Sequence, residues 1–183
     1  MRAVQSMPPA QTSEMRIRDL FERFHHVVVQ AAYRITGRAE DAEDVLQTVF
    51  TRLLQRAEDL PPVVGEGARA YLQRAAVNAA LDVVKARRNR QRVPLELVDG
   101  SLEDEGIRPD RLNNSRELAD WLRRALGRLH PRSAEMFALR FLEGLTNQQI
   151  AHLLGTTPGT VAVTLHRVRT RLQEELANEF ERN

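Results

Sequence analysis

The stretch LTNQQIAHLLGTTPGTVAVTLHRVRTRL, Leu145 to Leu172, reads as two short helices joined by a tight turn. Thr146 followed three residues later by Gln149 is a capping-box pattern, and Ile150, Leu153 and Leu154 give the helix it starts an apolar face. Gly155 is expected to end that helix. Thr157 is a suitable N-cap for the next one, and Pro158 suits a first helical position, where the missing N–H leaves no bond unmade. Val161, Leu165, Val168 and Leu172 then recur at spacings of four, three and four residues, which predicts one buried stripe. At about 100° per residue the opposite side carries Val163, His166, Arg167 and Thr170, flanked by Thr160, Ala162, Thr164, Arg169 and Arg171.

This is the layout of a helix-turn-helix, whose second helix enters the major groove. There an arginine can bond guanine O6 and N7, and an apolar side chain can meet the thymine methyl. A plain helical hairpin with a solvated basic face is the alternative. The capping box, Gly turn, N-terminal Pro and outward basic face occur together and favour the DNA reader.

Working back towards the N-terminus, Pro131 opens a helix expected over Ser133 to Leu142 and closed by Gly144. Ser115 is a candidate cap for a preceding helix that runs to Leu129 with a Leu118, Leu122, Ala125, Leu129 stripe. These two and the helix-turn-helix make a four-helix domain over residues 115–183. Residues 91–114 hold Pro94, Gly100, Gly106 and Pro109 and no sustained periodicity, and read as a flexible linker. From Glu96 to Asp110 that linker has six acids against Arg108, whereas Lys85 to Arg92 has five basic residues and no acid.

Residues 14–90 read as a second domain of three helices. The first covers Met15 to Ile35 and stops at Gly37. The second, Asp41 to Gln55, sets Ala42, Val45, Val49 and Leu53 on one side. After a Pro- and Gly-rich loop from about Glu58, the third starts near Ala68, buries Leu72, Ala76, Ala79 and Val83, and runs into the basic cluster. Residues 1–13 read as a flexible tail. The expected fold class is all-α: two small helical domains on a flexible acidic linker, the second with a helix-turn-helix.

Composition bounds the function. With 183 residues, 28% charged and 42% hydrophobic, the chain has room for one or two globular domains. A net charge of +2 does not diagnose nucleic-acid binding by itself. Cysteine is absent, which excludes disulfides and thiolate metal sites within this chain. No apolar run approaches the roughly 18 residues of a membrane span, and no secretory leader is recognisable, so neither export nor membrane insertion is expected. His25 and His26 point to different sides of a helix, and His130, His152 and His166 lack a ligand pattern, so no metal, cofactor or catalytic group is assigned.

Taken in order, these segments resemble the extracytoplasmic-function sigma factors of bacterial RNA polymerase. GRAEDAEDVLQTVFTRLL, from Gly37, is similar to the family's clamp-binding stretch. ARAYLQRAAVNAALDVVKARRNR, from Ala68, is similar to its promoter-melting and minus-ten-reading helix. LHPRSAEMFALRFLEGLTNQQIAHLLGTTPGTVAVTLHRVRTRL, from Leu129, is similar to its minus-thirty-five reader. The chain departs from the family at Thr48, where glutamate is common, at Ala134, where arginine is usual, and at Ala162 and Thr164, where basic residues are frequent.

The resemblance implies an alternative sigma factor, cytoplasmic and tied to stress responses, that directs core polymerase to specific promoters and takes part in melting them. Its implied partners are the polymerase clamp and flap, promoter DNA as duplex and single strand, and an anti-sigma factor. Polymerase contacts then fall to Asp44, Leu46, Gln47, Thr48 and Phe50. Minus-thirty-five contacts fall to Thr160, Ala162, Val163, Thr164, His166, Arg167, Thr170 and Arg171. For the minus-ten element, the amide of Asn78 can hold a base edge and Tyr71 can stack, while Arg74, Lys85, Arg87 and Arg88 hold phosphates. Core packing competes for Leu46, Phe50 and Tyr71. Two other functions fit the same residues: a helix-turn-helix regulator that acts without polymerase, and a sigma-like interaction module that does not read DNA.

Overall fold

The computed structural model describes residues 9–56, 66–91 and 112–180, and in them every regular element is a helix. The chain runs α1 (Pro9–Thr36), α2 (Ala39–Gln55), α3 (Glu66–Gln91), α4 (Leu112–Leu126), α5 (Pro131–Phe141), α6 (Asn147–Leu154) and α7 (Pro158–Phe180). The all-α class is as expected. Residues 1–8, most of the loop after α2 and linker residues 92–111 lie outside the described residues.

Helices α1, α2 and α3 pack against one another as a three-helix bundle. Ala31 and Ala32 on α1 and Ala76 and Ala80 on α3 are all fully buried, and such small side chains suit a close approach of two long helices. The α2 stripe Ala42, Val45, Val49 and Leu53 is buried as its spacing requires. Gly37 ends α1 at φ +73°, a conformation open to glycine, and its N–H bonds the Tyr33 carbonyl at 2.8 Å. Two boundaries differ from expectation. Helix α1 begins at Pro9, which suits a first helical position, so residues 9–13 are helix rather than tail. On α3 the buried surface is broader than one stripe: Val77, Ala80, Leu81 and Val84 are buried too.

Helices α5, α6 and α7 make the second packed group. Helix α5 starts at Pro131, two residues before Ser133. Helix α4 begins at Leu112, three residues ahead of Ser115, so Ser115 is not its cap. Its inward face is also rotated: Leu118 is 43% exposed while Trp121 is 5% exposed. Trp121 and Ala125 lie one turn apart, and burying the larger indole removes more apolar surface from water than burying Leu118.

The two groups are not apart. Both α4 and α5 pack on α3, and one continuous core runs from Ile17 to Leu172. The separate four-helix domain expected over residues 115–183 is therefore joined to the first bundle along α3. This packing covers Leu81 and Val84 of α3, Leu81 beside Leu126 and Leu129 and Val84 beside Gly127.

Candidate nucleic-acid and polymerase interfaces

Helix α6 opens with the capping box in full: the Gln149 N–H donates to Thr146 Oγ1 at 3.2 Å and the Thr146 N–H donates to Gln149 Oε1 at 2.8 Å. It ends at Gly155, φ +60°, with the Thr156 N–H on the Ala151 carbonyl. Thr157 Oγ1 then accepts the Thr160 N–H at 3.1 Å and caps α7. Val161, Leu165, Val168 and Leu172 are all buried. The opposite face is consequently fixed outward. Ala162, Val163, His166, Arg167 and Thr170 are exposed, Val163 at 52%, and Thr164 is half-buried. Thr160 is exposed, but its hydroxyl is engaged with Thr157 Oγ1 at 2.9 Å. Arg171 pairs with Glu175 at 2.8 Å, and the Arg128 and Arg171 side chains hold the Glu175 carboxyl below its usual range. No partner is found for Arg167 among the described residues.

Of the third-helix residues, Arg74 and Asn78 are half-buried and engaged by the carboxy-terminal helices. Arg74 Nε and Asn78 Nδ2 both donate to Glu135 Oε1 of α5, at 2.8 and 2.9 Å. Arg74 Nη1 also donates to the Leu153 carbonyl in the last turn of α6, at 2.6 Å, where a cation meets the negative end of the helix dipole. Beside this, the Glu143 carboxylate, its side chain 1% exposed, accepts from Arg34 of α1 and Gln73 of α3, each at 3.1 Å. Burial pushes the Glu143 carboxyl up, against the lowering pull of Arg34, Gln73 and Arg69. Tyr71 is half-buried against the core, and Lys85 borders a small cavity with Leu81, Leu129 and Ala134.

Glu135 and Glu143 were absent from the expected site. Periodicity does carry a trace of Glu135: it shares a face with the buried Ala138 and Leu139, and an acid on an apolar stripe needs a partner. Nothing in the spacing names that partner, which lies on another helix 57 to 61 residues away.

On α2, Asp44 and Gln47 are exposed and Thr48 is half-buried. Leu46 is half-buried against the core. Phe50 is 7% exposed, its ring edge-on to Phe21 at 5.0 Å between centroids, so it is a core residue and not an available anchor. Sequence periodicity left that choice open.

Further along α3 a cavity of about 430 Å³ is lined by Arg38, Arg87 and Arg88 from the first bundle and by Arg123, Arg124 and Arg128 after the linker. Arg87 bonds Asp41 at 2.7 Å and Arg88 bonds the Gly127 carbonyl at 2.6 Å. The Nε atoms of Arg88 and Arg123 are buried without an acceptor. Arg123 lies so close over Gly37 that a Cβ there would fall 2.3 Å from its guanidinium carbon. Among the described residues no group of three or more His, Asp or Glu could hold a metal ion, and no helix is long and apolar enough to cross a membrane.

Comparison with known proteins places both halves. Residues 20–92 match the Sigma-70 region 2 family and residues 119–172 match Sigma-70, region 4. An RNA polymerase sigma-E factor of Streptomyces coelicolor is 32% identical over 81% of this chain and 79% of its own length. The ECF sigma factor SigL of Mycobacterium tuberculosis is 32% identical over 86% of this chain and 89% of its own.

The chain belongs to the ECF sigma factors.

The chain spans 57% of another relative, the ECF sigma factor SigE of Mycolicibacterium smegmatis, at 32% identity. Among solved structures, CnrH in complex with the cytosolic domain of CnrY matches with TM-score 0.55 at 22% identity, over 93% of both chains. The sigma factor RpoE of Bartonella quintana, in complex with the anti-sigma factor NepR, matches with TM-score 0.52 at 19% identity over 87% of this chain and 96% of its own. These likenesses bear on the fold of this sigma factor, which is that of the family.

Proposed function

We propose that this ECF sigma factor binds core RNA polymerase through α2, reads the minus-thirty-five duplex with α7, and captures the melted minus-ten strand with α3. The reading rests above all on α7. Its buried stripe and its Thr157 cap fix a face on which, among the described residues, Arg167 stands exposed and unpartnered between Val163 and Thr170. That face can offer a guanidinium to guanine and an apolar contact to thymine. Asp44 and Gln47 supply the polar clamp contacts, with Leu46 beside them.

On α3, Asn78 takes the base edge, Arg74 and Lys85 hold phosphates, and Arg87 and Arg88 extend the cationic track. The polymerase carries out the chemistry, and the sigma factor has no catalytic group. The protein acts in the cytoplasm, and an anti-sigma factor restrains it.

Run-off transcription with purified core polymerase on fragmented genomic DNA tests this. Discrete products that require the protein are expected. No product from any fragment, with core that is active with another sigma factor, would overturn it.

A further inference from the structure

The seam between the two helical groups carries acidic ties at Glu135 and Glu143 and, apart from them, the basic cavity of about 430 Å³. Its arginines come from separate elements. Arg38 precedes α2, Arg87 and Arg88 stand near the end of α3, Arg123 and Arg124 lie in the last turn of α4, and Arg128 follows that helix. The cavity wall itself holds one carboxylate, that of Asp120. Counting also the acids behind the wall, Glu40, Asp41 and Glu175, six cations meet four anions, so two positive charges stay in excess.

The excess is located. Arg124 has no partner among the described residues, and Arg88 meets only the Gly127 carbonyl, through Nη1 at 2.6 Å. The Nε atoms of Arg88 and Arg123 are buried without an acceptor. Buried donors are ordinarily met, and donors left unmet beside a cavity are places where a bound anion or water completes the bonding. A guanidinium presents its N–H groups as a planar fork that fits two phosphate oxygens at once. The cavity volume falls in the range of small-molecule sites, about 300–1,000 Å³.

We infer that this cavity binds a soluble oligophosphate, a chain of linked phosphates either free or carried by a nucleoside, with Arg88 and Arg124 as its principal contacts. A nucleic-acid strand spaces single phosphate charges along its length and suits an open track. Linked phosphates concentrate several charges in a small volume and suit a concave wall with arginines on several sides. The inference goes beyond promoter reading. Arg87 and Arg88 also belong to the proposed minus-ten track, so the test turns on Arg124 and Asp120, which do not.

Isothermal titration of the full-length protein with sodium tripolyphosphate, at low and matched ionic strength, is expected to show one site. Arg124→Ala is expected to weaken it about tenfold, as loss of a hydrogen bond between charged groups does, with helical circular dichroism unchanged. Asp120→Asn removes the one carboxylate of the wall and is expected to tighten binding several-fold, a gain that a poorly folded variant would not give. Adenosine triphosphate separates the two sources: tighter binding than tripolyphosphate assigns the chain to a nucleotide, and equal or weaker binding to the bare phosphates, and either upholds the site. Absence of binding, or binding that neither variant alters, overturns it. If a single-stranded oligonucleotide responds to both variants and tripolyphosphate to neither, the cluster is a nucleic-acid track and the inference falls.

Discussion

Arg167 stands on the exposed face of α7, and among the described residues no acid or carbonyl engages it. Its guanidinium is available at no cost in broken bonds, unlike that of Arg171, which pairs with Glu175. Arg167→Ala is expected to cost about 1–3 kcal/mol in minus-thirty-five binding and to relax preference at one base pair, as a bidentate base contact does. Competition binding against single-base variants of the site reads this, and unaltered preference removes Arg167 from the reading set. Phe50 illustrates the opposite case. Because its ring is buried edge-on to Phe21, Phe50→Ala is expected to lower folding stability by about 3–5 kcal/mol, seen as a lower denaturant midpoint. Weaker polymerase binding with full stability would return Phe50 to the polymerase surface.

At the scale of the element, local signals were legible and cross-helix ones were not. Capping box, left-handed Gly155, Thr157 cap and the α7 stripe all depend on residues within one or two turns, and each appears where its spacing puts it. Helix α4 shows the limit. Leu118 and Trp121 both fit a helical face, and only the tertiary packing of α4 decides that the indole is buried and Leu118 exposed. The exposed polar side of α2 was also readable, which makes Asp44 and Gln47 a fair test. The double variant Asp44→Ala, Gln47→Ala is expected to weaken capture by immobilised core polymerase with circular dichroism unchanged; normal capture would move that contact elsewhere.

Glu143, in the turn after α5, gives a pH signature of the seam. Burial holds its carboxyl above 4.5 in the folded chain, with Arg34, Gln73 and Arg69 acting the other way. The folded state therefore binds this proton more tightly than the unfolded one. Its stabilising contribution is complete below 4.5 and is lost as pH rises through the raised folded value. Glu143→Gln is expected to remove that loss, so the variant gains on the parent as pH rises from 4.5. Parallel profiles of the denaturant midpoint for the two proteins would refute it.

For the whole molecule the closed arrangement sets acids against bases in one place and gathers bases in another. Glu135 and Glu143 draw α5 and its following turn onto α1 and α3, while Arg38, Arg87 and Arg88 meet Arg123, Arg124 and Arg128 around one cavity. No sequence spacing could show either feature, because each pairs side chains from before and after the acidic linker. Four of these six arginines already meet a carboxylate, Arg38 with Glu40, Arg87 with Asp41, Arg123 with Asp120 and Arg128 with Glu175, which leaves Arg88 and Arg124 as the cations at the cavity without one among the described residues. A multivalent phosphate is accordingly expected to bind at Arg88 and Arg124, where helices from before and after the linker meet, and so to favour this packed, closed form over an opened one. By linkage, an anion that binds only the closed form favours it by about 2.7 kcal/mol at a hundredfold excess over its dissociation constant. With energy-transfer labels on Gln30→Cys of α1 and Gln173→Cys of α7, both exposed positions in a chain without cysteine, the expected observation is that tripolyphosphate at low salt shortens the distance, sodium chloride of equal ionic strength does not, and Arg124→Ala blunts the response. Arg124 is the informative site because among the described residues it has no partner to lose. An equal response to both salts would reduce the effect to general screening, which at 0.1 M acts over about 10 Å and needs no cavity.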